Sequence, residues 1–306
     1  MRGRFALERS EIIITLLYIG CTLIWGCSFI LMKIGLKTFS PDEVASLRLT
    51  FGGWCLLPVA IPFLLKNGWK HYPWGRLGLS ALMGNVIPAF LFAIAQQHLK
   101  SATGGVLNSL TPIFTLLVGT LFFGVPITMD KTLGVIMGLA GAVTILLLRA
   151  GGQLTETAPE YGLLMVAGTI MYGFNGNFVR QRLFHLRPLE LVSLAFLAGS
   201  IPSSLYLFTT PFLSKIVQHP DGWTSFWAVM ALGCLGTAMA SYLFWKMVEY
   251  SSVLFAATVT YCIPIVAVVL GYFGNDEAIT IGHGVGMATI LFGVWLTNRK
   301  KREATA

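Results

Sequence analysis

Residues 25–33 read WGCSFILMK, and residues 172–180 read YGFNGNFVR. Shifting the chain by 147 positions places the first segment on the second, so that Trp–Gly falls on Tyr–Gly and Lys33 falls on Arg180. The same shift produces further matches outside the quoted segments: Pro41 with Pro188, Glu43 with Glu190, Ser46 with Ser193, and Gly52 with Gly199. An ordered series of matches at a fixed shift indicates an internal repeat.

The later part of the repeat aligns at a shift of 152 positions, because five extra residues lie near residues 213–222. This second series of matches pairs Gly84 with Gly236, Pro112 with Pro264, Thr128 with Thr280, and Gly141 with Gly293. We therefore predict two repeats, at residues 12–149 and 161–300.

The composition of the chain is that of a membrane protein. Of the 306 residues, 55% are hydrophobic and only 11% are Asp, Glu, Lys or Arg, whereas soluble domains carry about 25% charged residues. This composition excludes an ordinary soluble enzyme and a disordered regulator. The net charge is +8, but no basic face accompanies it, so nucleic acid is not an expected partner. The expected environment is a lipid bilayer.

Transmembrane helices need roughly 20 mostly apolar residues, and ten uncharged stretches approach or exceed that length. These stretches are residues 12–32, 49–65, 77–99, 101–129, 132–148, 161–179, 191–214, 222–245, 250–275 and 278–298. Each repeat therefore holds five predicted helices. Since five is odd, the second repeat would enter the membrane from the opposite side. We predict an all-α integral membrane protein with ten transmembrane helices in two inverted five-helix repeats, a plan common among transporters.

The distribution of Lys and Arg predicts the orientation in the membrane. With the N-terminus in the cytoplasm, 15 of the 21 Lys and Arg residues fall on the cytoplasmic side, and 6 fall outside or near the outer ends of helices. We therefore expect a multi-pass protein of the cytoplasmic (inner) membrane with both termini in the cytoplasm.

Several short motifs resemble those of the EamA-type transporters in the drug/metabolite transporter superfamily. Residues 25–29 followed by Lys33 resemble the first-helix signature, and residues 46–48 resemble the arginine-bearing second helix. Residues 110–114 and 262–265 resemble the proline motifs of the fourth and ninth helices. Glu277 resembles the acidic residue after the ninth helix, but Val125 stands at the matching place in the first half, so the pattern is incomplete there.

The resemblance covers roughly residues 16–299. It implies a secondary transporter that exports amino acids or other small metabolites by alternating access. It also implies a central cavity lined mainly by helices one, three, four, six, eight and nine. Related branches of the superfamily move nucleotide sugars, sugar phosphates, purines or drugs, so the identity of the substrate does not follow from the resemblance.

Polar and aromatic side chains inside the predicted helices are candidates for the substrate site, because polar groups within a membrane are costly and tend to face a cavity or another helix. Helical spacing places many of them on shared faces. The candidates are Trp25, Ser28, Asn85, Phe92, Gln96, Asn108, Tyr172, Asn175, Thr237, Ser241 and Tyr261. Their mixture of aromatic surface and neutral hydrogen-bonding groups suits an amphipathic zwitterion. The alternative is that these groups serve helix packing.

Two cations and two prolines within the predicted helices have further candidate roles. Lys33 and Arg48 lie near helix ends; Lys33 could extend to the membrane interface, and Arg48 could either hold helix ends or attract an anionic group. Glu43 is only marginally placed to pair with Arg48. Pro112 and Pro264 fall within predicted helices and are candidate hinges.

Other functions find less support in the sequence. The five cysteines lie in apolar stretches, and the His residues are scattered without a metal-binding or catalytic motif, so we expect no metal site, no cofactor and no enzymatic activity. An integral membrane enzyme acting on lipid or lipid-linked substrates is the main alternative, and an ion channel is a weaker one. No carboxylate lies in the middle of a predicted helix, so the sequence does not require proton coupling. A small metabolite is the expected partner, and a homodimer is compatible with the sequence.

Overall fold

A computed structural model describes residues 2–99, 101–149, 159–266 and 281–298. The described residues are almost entirely helical. Their twelve helices are α1 (Arg2–Gly35), α2 (Pro41–Asn67), α3 (Trp74–His98), α4 (Ser101–Asn108), α5 (Thr111–Phe123), α6 (Met129–Arg149), α7 (Gly162–Arg182), α8 (Pro188–Leu207), α9 (Phe212–Gln218), α10 (Gly222–Tyr250), α11 (Val253–Val266) and α12 (Ile281–Asn298).

Within the described residues, five of these helices are long and apolar enough to cross a membrane, namely α1, α2, α3, α8 and α10. The helices α5, α11 and α12 are shorter but also apolar. The chain is therefore an all-α, multi-pass membrane protein, as its composition predicts. Glu277 lies outside the described residues.

Two helices of the core begin in the same way. Both α2 and α8 start at a proline, where the missing N–H is not needed. Glu43 accepts a hydrogen bond from the Ser40 backbone N–H at 2.9 Å, and Glu190 accepts one from the Arg187 N–H at 3.4 Å. Both carboxylates are largely buried. Each caps the start of its own helix, which lets these helices begin inside the protein.

The same two carboxylates also tie distant segments to the helix starts. Lys215 of α9 forms an ion pair with Glu43 at 2.7 Å, and the Tyr72 hydroxyl donates to Glu190 at 2.7 Å. Lys215 follows α8, and Tyr72 follows α2. Each carboxylate is therefore held by a residue from the segment that follows the other helix of the pair.

Close helix crossings depend on glycine. A Cβ added at Gly134 of α6 would lie 2.7 Å from the Gly293 carbonyl oxygen of α12, and one at Gly141 would lie 2.7 Å from the Gly286 carbonyl oxygen. A Cβ at Gly173 of α7 would lie 2.8 Å from the backbone of Phe114 in α5. These helices pack backbone against backbone, which requires small residues at the contact.

The fourth apolar stretch is not one continuous helix. It divides at residues 109–110 into α4 and α5, and Pro112 lies in the first turn of α5. In the ninth stretch, α11 is interrupted by a turn at Thr258, and Pro264 lies six residues beyond it. The sequence predicts a proline kink inside a single helix. The break instead precedes Pro112, because proline is tolerated in a first helical turn and disfavoured in a helix interior.

Both α3 and α10 contain a π-helical segment, at Leu82–Val86 and Leu232–Met239 respectively. The 152-position shift places residues 82–86 on residues 234–238, so the two wide turns occur at matching places. Segments of π-helix are rare and frequently occur at functional sites. Here both of them border the central cavity.

Candidate functional site

A central cavity lies among α1–α5, α7, α8, α10 and α11. It holds about 1260 Å³ of space free of protein atoms, including its open mouth. Nine of the candidate residues line it: Trp25, Ser28, Asn85, Phe92, Asn108, Tyr172, Asn175, Thr237 and Ser241. The lining residues come from both halves of the chain.

Two aromatic pairs provide the apolar part of the lining. The ring centroids of Trp25 and Phe244 are 5.7 Å apart, and those of Phe92 and Tyr172 are 5.6 Å apart. The Trp25 indole N–H donates to the Gly236 carbonyl oxygen at 3.0 Å, in the π-segment of α10. The repeat alignment matches Trp25 with Tyr172 and Phe244 with Phe92. The cavity therefore has two aromatic faces built from matching positions.

Two polar residues contact the π-segments. The Ser28 hydroxyl lies close to Gly236, where an added Cβ would come within 2.6 Å of Oγ. The Asn175 side-chain amide lies against Gly84. Asn175 lines the cavity, and its Oδ1 is buried without a hydrogen-bond partner among the described residues. Ser28 and Asn175 are matched by the repeat alignment, as are Gly236 and Gly84.

Arg48 of α2 also lines the cavity. Its Nε–H donates to Thr237 Oγ1 at 3.1 Å, and Tyr172 lines the same cavity. Glu43 is not its partner, because that carboxylate pairs with Lys215. Among the described residues that line the cavity, Arg48 is the one with a formal charge.

Lys33, the other candidate cation, has a different position. Its ammonium donates to the Leu99 carbonyl oxygen, at the end of α3, at 2.8 Å. This bond holds the end of α1 against the end of α3, a contact that suits a structural role at a helix end.

Two candidate residues lie outside the cavity lining. Gln96 is fully buried against Gly104, and its side-chain amide has no partner among the described residues. Tyr261 is also fully buried; its hydroxyl donates to the Val135 carbonyl oxygen at 2.9 Å, and its ring packs on Gly138. Tyr261 joins α11 to α6.

The sequence did not predict the contribution of α8 to the cavity lining. Leu191, Val192, Ala195 and Phe196 line the cavity together with Ser80 and Trp245. The α8 residues are apolar, and nothing in an apolar transmembrane sequence distinguishes a cavity face from a lipid face. The burial of residues 190–196 is visible only in the folded chain.

The described residues that line the cavity include no Asp, Glu, His or Cys. No group of three or more His, Cys, Asp or Glu side chains comes together among those residues. The lining provides aromatic surface, hydroxyls, amides and one guanidinium. This arrangement can bind and orient a small organic molecule.

The fold and the site define a multi-pass helical membrane protein whose central cavity can hold a small organic molecule. The chain itself belongs to the EamA-like transporter family, whose model matches twice, over residues 12–147 and 161–299.

Relatives across most of the chain are named as transporters. An uncharacterized transporter of Archaeoglobus fulgidus is 25% identical, with 90% of this chain and 95% of the relative covered. The uncharacterized inner membrane transporter YedA of Escherichia coli K12 is 27% identical, with 91% and 88% covered. A probable terminal-alkyne amino-acid exporter of Streptantibioticus cattleyicolor is 24% identical, with 92% and 93% covered.

The fold also resembles that of a solved protein. A crystal structure with 22% sequence identity superposes with a TM-score of 0.67, covering 92% of this chain and 95% of that one. At this level of identity, the similarity concerns the fold alone.

Proposed function

We propose that this protein is a secondary transporter that exports amino acids or related small metabolites across the inner membrane. The observation that carries the proposal is the central cavity, which combines two aromatic pairs with neutral amides and hydroxyls from both repeats. A zwitterion with an apolar side chain needs both kinds of surface. The transporter names of the relatives, among them a probable amino-acid exporter, support the same proposal.

The transport mechanism that we propose is alternating access by two inverted repeats. Matching contacts in the two halves support it: Gly84 faces Asn175 as Gly236 faces Ser28, and Gly173 faces Phe114 as Gly26 faces Val266. Such pairs are expected when two similar units are related by a two-fold axis in the membrane plane. If the units can exchange conformations, the cavity opens to each side in turn.

The interruptions near Pro112 and Pro264 are the proposed hinges. The break at residues 109–110 and the turn at Thr258 each precede the proline of their repeat by a few residues. Interrupted helices leave backbone groups without helical partners and allow the adjoining segments to move. We propose that α5 and the second half of α11 pivot at these points.

We also propose that both termini face the cytoplasm, as the excess of 15 Lys and Arg over 6 supports. In this orientation Arg182, at the end of α7, is cytoplasmic and Lys37, after α1, is external. In cells that produce cysteine-free variants with one cysteine introduced, an impermeant maleimide should label position 37 and not position 182. The reverse pattern would contradict the orientation.

Counterflow in proteoliposomes tests the proposed function. Vesicles that contain the purified protein and an unlabelled amino acid should accumulate the labelled form of that amino acid, whereas protein-free vesicles should not. A panel of apolar and aromatic amino acids covers the chemistry of the cavity. Chemical conversion of a panel member, or of added lipid, without net movement would favour the membrane-enzyme alternative. Absence of counterflow for the whole panel would contradict amino-acid transport.

A further inference from the structure

The central cavity contains a cation whose charge no carboxylate of the described residues neutralises. Arg48 lies in α2, and the Arg48–Thr237 bond joins this helix to α10. The nearest acidic candidate along α2, Glu43, is occupied by Lys215 and by the Ser40 backbone. In the described part of the chain, Arg48 forms no ion pair with Asp or Glu.

Most N–H donors of Arg48 have no acceptor among the described residues. A guanidinium carries five N–H donors in a planar fork, and within the described residues only Nε–H has a protein acceptor. Arg48 therefore does not hold a helix end through backbone carbonyls there. The side chain keeps part of its surface exposed, and that surface lies in the cavity lining. A carboxylate can take two of these donors at once, which is the geometry that arginine favours.

Uncompensated charge in a low-dielectric site is costly, so the site gains most from a ligand that brings the opposite charge. The other lining groups in the described chain are neutral and cannot neutralise Arg48. Arg48 lines the cavity together with Phe92 and Tyr172, whose rings form an aromatic pair. The cation and an aromatic surface therefore belong to the same cavity.

We infer that Arg48 is the anion-binding residue of the cavity, so that the protein selects organic carboxylates with an apolar or aromatic group and rejects amines that lack a carboxylate. This inference rests on the proposed transport function and specifies its substrate class. The carboxylate binds the free N–H donors of Arg48, and the apolar group lies on the ring of Tyr172.

Three small molecules separate the contributions of charge and apolar surface. L-Phenylalanine has a carboxylate and an ammonium group, 3-phenylpropanoate has only the carboxylate, and phenethylamine has only the ammonium group. Their affinities for the purified full-length protein can be measured from ligand-dependent thermal stabilisation. We expect both carboxylates to bind, and phenethylamine to bind at least tenfold more weakly than phenylalanine.

Variants of Arg48 test whether this residue is responsible for carboxylate binding. Arg48→Gln should weaken binding of both carboxylates by about tenfold to a hundredfold, the range for loss of hydrogen bonds to a charged group. Arg48→Lys keeps the positive charge but loses the planar guanidinium with its paired N–H donors. This variant should therefore weaken carboxylate binding less than Arg48→Gln does, and it should still bind carboxylates more tightly than phenethylamine. Lys66→Gln is the matched control, because it removes a positive charge from an exposed position at the other end of the same helix.

The outcomes are distinct. Equal affinity for phenethylamine and phenylalanine, unchanged carboxylate affinity in Arg48→Gln, or no binding of either carboxylate at tens of millimolar would each overturn the inference. If Arg48→Gln does not fold, the inference is still tested by the affinities of the three ligands for the wild-type protein and by the Arg48→Lys variant. Binding that depends on Arg48 but occurs without counterflow in proteoliposomes would remove the proposed transport function and leave the carboxylate site. Counterflow of phenethylamine at the rate of phenylalanine would remove the proposed carboxylate selectivity and leave a transport function.

Discussion

Gly173→Val is expected to prevent recovery of folded protein. A Cβ at this position would lie 2.8 Å from the Phe114 carbonyl carbon and the Thr115 backbone nitrogen, and 2.9 Å from the Phe114 carbonyl oxygen. Backbone atoms cannot rotate away as the end of a side chain can, so α5 and α7 would have to separate. Overpacking of a core typically costs about 1–3 kcal/mol, and we expect at least the upper value here.

A displacement of α5 would also break neighbouring contacts. Asn177, one turn beyond Gly173, donates to the Thr115 carbonyl oxygen at 2.9 Å and to the Gly173 carbonyl oxygen at 2.8 Å. The first of these bonds crosses the same α5–α7 interface and would lengthen with it. The measurement is the yield of monodisperse protein in detergent together with its melting temperature.

Gly78→Val is the matched control for this prediction. An added Cβ at Gly78 of α3 meets no atom within 4 Å, and valine has a somewhat better helix propensity than glycine. The control should therefore fold in normal yield. A Gly173→Val protein with the yield and melting temperature of wild type would show that the α5–α7 crossing is looser than the structure describes.

Simultaneous replacement of Asn85 and Asn175 by alanine is expected to produce the largest loss of substrate affinity. Both side chains line the cavity, and Asn175 Oδ1 is buried without a partner among the described residues. A hydrogen bond to a charged group contributes about 1.5–3 kcal/mol, or roughly tenfold to a hundredfold in affinity. If each amide binds the substrate, the double variant should raise the half-saturating concentration by about a hundredfold or more.

Asn177→Ala provides a sharp comparison, because Asn177 lies two residues from Asn175 on the same helix but faces α5. Its loss should lower the melting temperature and leave the half-saturating concentration unchanged. The Asn85/Asn175 variant should show the reverse pattern in counterflow and thermal unfolding. Unchanged transport kinetics in the double variant would exclude both amides from the site.

Much of the cavity lining could be predicted, because helical spacing carries over directly into shared faces. Trp25 and Ser28, like Tyr172 and Asn175, are three residues apart and do line the same cavity. Helical spacing predicts which face of a helix a residue occupies, but not whether the residue lies at the level of the cavity along the helix axis. Gln96 is eleven residues beyond Asn85, which is about 16 Å along a helix axis. It therefore lies beyond the cavity, against Gly104 of α4.

The case of Tyr261 shows that one residue changes the face of a helix. Val253, Ala257, Thr260 and Ile263 line the cavity at helical spacings of three and four residues. Tyr261 follows Thr260 directly, so it lies about 100° away around the helix axis. It contacts α6 instead, where its hydroxyl donates to the Val135 carbonyl oxygen. The polarity and size of Tyr261 made it a candidate, but its neighbours on α11 decide which face borders the cavity.

By itself, the sequence determined the membrane class and the family resemblance, and it predicted an internal repeat, because composition and self-similarity are properties of the chain that need no contacts. The packing partners of individual side chains were decided only by the tertiary structure. Glu43 is five residues from Arg48 but pairs with Lys215, 172 residues away. The rotation of the helices and the placement of the loops determine which cation pairs with Glu43. As a result, Arg48 lies in the cavity without a carboxylate partner among the described residues. The physical reason is that an ion pair depends on distance in space, which sequence separation does not determine between helices.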